Sequence, residues 1–310
     1  MNPAPSIILF TTASGAGYGL LFWLGLLRPL GLLPASTNFA LVSLVLALAL
    51  ITVGLVSSTL HLGNPQRAWR AVSQWRSSWL SREGVAAIAT YVPAVLFGLG
   101  LWLGMAGLTV VGGLLAAAGA VATVYCTAMI YASLKPIRQW SHPLVVPGYL
   151  VLSAFSGAAV LAMLAAFWGG GAVPAVLALL AGAGALLLKR AYWQAIDTAT
   201  PAATAESATS LGFIGKVRPL DPPHTESNYL LREMGFRVAR KHAEKLRLLA
   251  LVGGFAVPML LALLALLLGG GAAMAALTLG AVLALGGLLV ERWLMFAEAT
   301  HTVTLYYGGS

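Results

Sequence analysis

The sequence predicts an all-α fold, a polytopic membrane helix bundle with eight transmembrane helices. Composition is the first reason: of 310 residues, 59% are hydrophobic and 9% charged, against roughly 25% charged in a soluble domain, and the mean hydropathy is +0.88. The second is that apolar residues recur in runs of about 20, the length a helix needs to cross the hydrocarbon core. The third is that basic residues gather in alternate connections, as the two sides of a membrane require.

The runs are residues 6–27, 40–61, 84–106, 108–131, 146–168, 172–189, 247–268 and 272–296. The first basic residue, Arg28, follows the first run instead of preceding it, so Ile7–Leu27 reads as a retained helix and not as a cleavable signal. Very short Gly-rich turns join the third run to the fourth, the fifth to the sixth and the seventh to the eighth, which predicts three tight hairpins. Gly15 with Gly19 and Gly100 with Gly104 offer small faces for close helix packing, although the abundance of glycine, 35 residues in all, explains each pair equally well.

The 2–3 turn carries Arg67, Arg70, Arg76 and Arg82, and the 4–5 turn Lys135 and Arg138. The 6–7 loop with its flanks carries Lys189, Arg190, Lys216, Arg218, Arg232, Arg237, Arg240, Lys241, Lys245 and Arg247. The opposite face shows only Arg28. The positive-inside rule then puts both termini in the cytoplasm of a bacterial inner (cytoplasmic) membrane; a basic surface built to dock an acidic partner is the competing explanation. The net charge of +9 therefore describes topology and contact with anionic membrane lipid, not nucleic acid.

The chain reads as a single membrane domain over 1–310, in which 190–246 is the one sizeable extramembrane piece, a cytoplasmic loop. It opens on the low-complexity run TATPAATAESATS and passes an extended proline segment, Val217–Pro223. From Ser227 it becomes an amphipathic basic helix. Leu230, Leu231, Met234 and Val238 lie near one stripe, and Arg237, Arg240, Lys241 and Lys245 lie mostly off it. The basic side fits a docking element for a partner or an anchor in lipid headgroups.

The candidate chemistry lies between Ser57 and Ala86. His61 ends the second run and Glu83 starts the third, so on adjacent helices both stand at one headgroup depth. A histidine that titrates near neutrality and a carboxylate at a wet boundary suit a quinone head group, which needs a hydrogen-bonding partner and a proton exchanger. Arg67 is placed to hold the carboxylate or a quinone oxygen, while Gly63 and Pro65 shape the turn. Each residue also has a plainer reading. A helix N-terminus favours glutamate whatever its function, His61 serves as a polar cap, and Trp69, Trp75 and Trp79 form an aromatic belt. With Val72 the tryptophans predict an interfacial helix over 66–80. A second polar group follows Val290, comprising Glu291, Arg292, Glu298, His301, Tyr306 and Tyr307. There Glu298 and His301 are expected on one helix face at i, i+3 as secondary site candidates, with simple solvation as the alternative.

No metal site is expected. The single Cys126 cannot hold an iron–sulfur cluster, and His61, His142, His224, His242 and His301 all fall at boundaries or in loops, which leaves no pair for haem inside the bilayer.

Taken together, HLGNPQRAW, SWLSRE, CTAMIYASLKPIRQW at 126–140, RPLDPPHTESNYLLREMGFRVARKHAEKLR and the terminal ERWLMFAEATH…LYYG resemble the dimethyl sulfoxide reductase anchor-subunit family over essentially the whole chain. The resemblance implies a haem-free subunit that binds quinone or quinol (menaquinone or ubiquinone). It implies two partners, a four-cluster ferredoxin-like iron–sulfur subunit and a molybdopterin catalytic subunit. Motif by motif, the family's quinol-site histidine falls on His61, its glycine on Gly63, its arginine on Arg67 and its glutamate on Glu83. One departure stands out: reductases of this family turn this face to the periplasm, whereas the charges here point to the cytoplasm. The anchors of cytoplasmic-facing sulfite dehydrogenases are similar in that respect, so a sulfite-oxidising complex is favoured over a quinol-oxidising reductase. A small secondary transporter and a pure scaffold are the readings from other classes; the transporter would call for broken helices and an internal repeat.

Reporter fusions at Thr204 and Ser310 should be cytoplasmic and one near Leu33 periplasmic. Alkaline phosphatase activity at Thr204 would reverse the orientation.

Overall fold

Backbone amides in hydrocarbon have no water to bond to, so each apolar run closes its hydrogen bonds internally as a helix. In the computed structural model, residues 3–59, 64–198, 203–218, 220–221 and 238–303 are described, the side chains at 65, 68, 71 and 238–241 apart. Eight helices are long and apolar enough to cross a membrane, as expected, and no strand occurs among the described residues.

The first two are α1 (Pro5–Leu27) and α2 (Thr37–Thr59). A short 3-10 helix, Pro65–Gln74, follows in place of the longer interfacial helix predicted over 66–80. Next come α3 (Trp79–Leu103), α4 (Ala106–Ala132), α5 (Val145–Ala166) and α6 (Ala172–Thr198). A one-turn helix, α7 (Ala205–Thr209), lies in the 6–7 connection. The seventh span, His242–Leu268, is built from α8 (Val238–Leu249), a π-helical stretch Ala250–Ala256 and α9 (Val257–Leu268). Pro258 lacks the amide that a regular helix would use, and the π stretch ends two residues before it, at Ala256. The eighth span is α10 (Gly270–Ala297). The stripe residues Leu230, Leu231 and Met234 and the docking candidate Arg237 lie outside the described residues.

Two boundaries differ from the sequence reading for identifiable reasons. α3 starts at Trp79, not near 84, because Ser78 caps it by accepting from the Ser81 amide and Arg82 ties the preceding turn by donating to the Trp75 and Arg76 carbonyls at 2.9 and 2.7 Å. Glu83 therefore lies a turn inside the helix, no longer at its start. α6 continues nine residues past Lys189 to Thr198, because Lys189 is neutralised inside the bundle.

Three hairpins form as predicted, closed by glycines with positive φ such as Gly104 (68°) at the α3–α4 turn. α1 and α5 are the centre of the bundle: 72% of each apolar window is buried, against 39% or less for the other six spans. α1 packs on α2, α4, α5 and α10. Glycine makes this possible at one contact above all, where Gly19 meets the Ser153 carbonyl and Gly157 meets the α1 backbone so closely that a Cβ at either would collide. Of the two glycine pairs singled out in the sequence, Gly19 and Gly100 sit in such contacts, while Gly15 and Gly104 have open space at the Cβ position.

Gly157→Ala should therefore overpack the α1–α5 interface and cost about 1–3 kcal/mol. Gly286→Ala, with nothing near its Cβ position, should be neutral or slightly stabilising. Thermal unfolding of the two variants in detergent checks the contrast.

Candidate functional site: a buried polar layer beneath the basic face

Of the four residues assigned to the quinone site, His61 and Gly63 lie outside the described residues. Glu83 and Arg67 are described, and they are not brought together. Arg67 is exposed on the 3-10 helix, whereas Glu83 is only 4% exposed and turned into the bundle, and no ion pair joins them among the described residues. The Thr127 hydroxyl of α4 donates to Glu83 Oε1. The same hydroxyl stands 3.0 Å from the Thr123 carbonyl, so a single proton has two acceptors in reach. Two turns deeper, the Thr90 and Thr123 hydroxyls meet at 3.3 Å. The α3–α4 seam thus carries a short ladder of hydroxyls leading down from Glu83. Trp69 and Trp75 stay exposed on the rim, each with a neighbouring arginine at 5.5 Å from its ring, as an interfacial belt should be.

A second cluster lies at similar depth on the far side of α1. Glu291 of α10 is fully buried. It accepts from Arg292 Nε at 2.5 Å and Nη2 at 2.8 Å and pairs with Lys189 of α6. Aromatic faces cover both cations: Arg292 lies 4.4 Å from the Tyr149 ring centroid, and Lys189 lies 4.3 Å from that of Tyr192 and 4.8 Å from that of Trp193. Two cations share one carboxylate, so the cluster holds one excess positive charge. Sequence reasoning read Lys189 as a loop flank and left Glu291 and Arg292 without partners. The available signal was Tyr192 and Trp193 at i+3 and i+4 from Lys189, which places rings along the lysine stem.

Nearer the surface, Arg247 bonds Asp197 at 2.6 and 3.0 Å and Glu298 at 2.8 Å. Burial pushes the Glu298 carboxyl above the ordinary value, against the opposing pull of Arg247. The expected pairing of Glu298 with His301 on one helix face is not realised. α10 ends at Ala297, and His301 instead forms a backbone bridge with Ile137 and accepts from the Val303 amide through Nδ1 at 3.0 Å. His142 accepts from the Leu144 amide; burial first, then Arg138, lowers its pKa.

A small cavity of about 20 Å³ joins the two halves of this layer. Thr127 and Arg292 line it from opposite sides, with Thr12, Tyr149, Ser153 and Ser156 between them. The Thr12 hydroxyl is buried without a hydrogen-bond partner among the described residues. Such a volume is enough for about one water.

Six spans around a central helix pair, with ionisable groups buried beneath one basic face, define a multi-pass membrane protein. The model of the DMSO reductase anchor subunit (DmsC) family matches residues 1–309. A sulfite dehydrogenase subunit of Allochromatium vinosum is 33% identical over 99% of both chains. The chain therefore belongs to the DMSO reductase anchor subunit family.

Replacing Glu291 with Gln leaves Lys189 and Arg292 buried without their counter-ion and should cost roughly 3–5 kcal/mol. Asp197→Asn breaks a pair whose aspartate is half exposed and should cost under about 1 kcal/mol. Thermal unfolding of the purified protein separates the two.

Proposed function

We propose that this chain is the haem-free, quinone-reactive membrane anchor of a three-subunit molybdopterin and iron–sulfur oxidoreductase. It passes electrons between the partner's clusters and the quinone pool, in a complex that oxidises sulfite. The observation that carries the reading is Glu83: a carboxyl buried beneath the basic face and hydrogen-bonded to Thr127, in a chain of the anchor family that is similar throughout to a sulfite dehydrogenase subunit. The remaining alternative within the family, an anchor that delivers quinol electrons to a reductase, uses the same site with the electron flow reversed.

The residues present fit a quinone. When bound, the quinone supplies two-electron, two-proton redox chemistry. Glu83 holds or releases a proton at its carboxyl, and Thr127, with one proton between two acceptors, keeps that carboxyl oriented. His61 is assigned the hydrogen bond to a carbonyl oxygen, since neutral imidazole both donates and accepts. Gly63, like His61 outside the described residues, is assigned to the same site. Arg67, exposed and outside contact with Glu83, serves the second oxygen or the mouth of the site. The basic face, including Arg237, Arg240, Lys241 and Lys245, receives the iron–sulfur subunit on the cytoplasmic side, with both termini there. Glu298 is committed to Arg247 and serves as a structural partner in this reading.

His61→Ala should abolish electron exchange with quinone while the partners still assemble and the catalytic subunit still turns over with an artificial dye. Glu83→Gln should slow quinone-linked turnover by about 10²-fold or more, the scale of a lost proton-transfer group, with little change in binding of a quinone analogue. Normal quinone-linked turnover in both variants would refute the assignment.

A further inference from the structure

We propose that a preformed crevice between α1, α4 and α5 receives the ring of a bilayer quinone on its way to the His61–Glu83 segment, with the Tyr18 hydroxyl bonding one of its oxygens there. This rests on the quinone reading above and gives it a place and an entry route that the His61–Glu83 segment alone does not.

The crevice has a volume of about 350 Å³ and is walled by Tyr18, Phe22, Val121, Val124, Val151 and Ser153. Its lining is almost wholly apolar, and Val121, 41% exposed, stands where the wall meets lipid. The occupant must therefore be lipid-soluble. Packed interiors hold few voids of this size, and this one is kept open by the contacts on either side. Gly19 and Gly157 lock α1 to α5, and Gly25 and Gly113 lock α1 to α4, both at backbone distance. Trp23 Nε1 donates to the Ala154 carbonyl at 2.8 Å and Ser153 Oγ to the Gly15 carbonyl at 2.7 Å. The helices cannot close the gap without breaking these contacts.

The inner end is what distinguishes this crevice from a slot for an acyl chain. Tyr18 is 2% exposed. Its hydroxyl lies toward that of Thr123 but completes no well-formed hydrogen bond among the described residues. A buried hydroxyl left in this state costs free energy that a ligand oxygen would recover. Thr123 is one turn from Thr127, the partner of Glu83. Val124 and Ser153 line both this crevice and the polar cavity that reaches Arg292. An apolar entrance from the bilayer thus leads to Tyr18, whose hydroxyl completes no well-formed hydrogen bond among the described residues, and from there the hydroxyls of the α3–α4 seam lead to Glu83. That sequence of environments matches a molecule with a greasy tail and a ring that presents a carbonyl oxygen to Tyr18.

The test is photoaffinity labelling of the whole complex in membranes, with azido-benzoquinone and azido-naphthoquinone probes carrying a prenyl tail. Saturable labelling is expected within 18–23, 120–124 and 150–154, competed by the unmodified quinone. Val121→Trp, which fills the mouth, and Val151→Phe, a second block in case the first fails to accumulate, should each raise the half-saturating quinone concentration at least about tenfold. Tyr18→Phe should raise it roughly 5–10-fold, the worth of one hydrogen bond in a buried site. Leu180→Trp, at a lipid-facing position of α6, should leave labelling unchanged. Competed labelling confined to 64–83, with the crevice variants binding normally, would overturn the crevice and leave the His61–Glu83 site standing. Labelling of the crevice that quinone does not compete would mark a lipid chain as its occupant and overturn the proposal. The absence of competed labelling anywhere in the chain would overturn the quinone reading itself.

Discussion

The backbone contact between α1 and α5 at Gly19 and Gly157 is the constraint on which the rest of this bundle depends. Lipid chains are as apolar as leucine, so burying apolar surface gives little drive for helices to associate inside a bilayer; close packing and hydrogen bonds must supply it. Two glycines permit an approach that no other residue allows, and the Ser153 and Trp23 hydrogen bonds fix it. With that pair set, α4 takes its place against α1 and α10 its place against α5. The same rigidity leaves room that side chains do not fill, so this close backbone contact and the crevice beside it are neighbours for one reason.

Ionisable groups are tolerated here because they are concentrated in one layer and satisfied there. Glu291 is held by two cations, each lying over an aromatic face. Glu83 differs in having a hydroxyl partner and no cation among the described residues. A carboxyl paired to a fixed positive charge is a poor proton carrier, since the charge holds it ionised. A carboxyl facing a hydroxyl can exchange its proton. This contrast separates Glu291 as structural from Glu83 as the candidate for chemistry, although the two carboxylates lie in the same polar layer beneath the same basic face.

In the proposed function the basic face and the polar layer below it act in series. Exposed arginines and lysines meet an electron-carrying partner, and the quinone stays in the apolar phase a few turns deeper. Protons need a path that electrons do not. The hydroxyls of Thr127, Thr123 and Thr90 lie along the one helix seam that runs from Glu83 toward the middle of the bundle.

The number of spans, the three hairpins and the anchor family were legible in the sequence, because hydrocarbon thickness sets helix length and because glycine marks the tight turns. Glu83 was legible too, as a carboxylate at the edge of an apolar run. Hydropathy, however, cannot see what a charge pairs with. It stopped α6 at Lys189, whose counter-ion comes from α10, and started α3 beyond Glu83, which points inward to α4. It joined Glu298 to His301 by helical spacing, where the chain leaves the helix at Ala297 and Arg247, distant in sequence, claims the carboxylate. The buried triad, the Thr127–Glu83 bond and the crevice at Tyr18 each require two or three helices to meet at one depth. That meeting depends on how separate helices pack, at the crevice through the Gly19–Gly157 and Gly25–Gly113 contacts, so only the tertiary structure decides it.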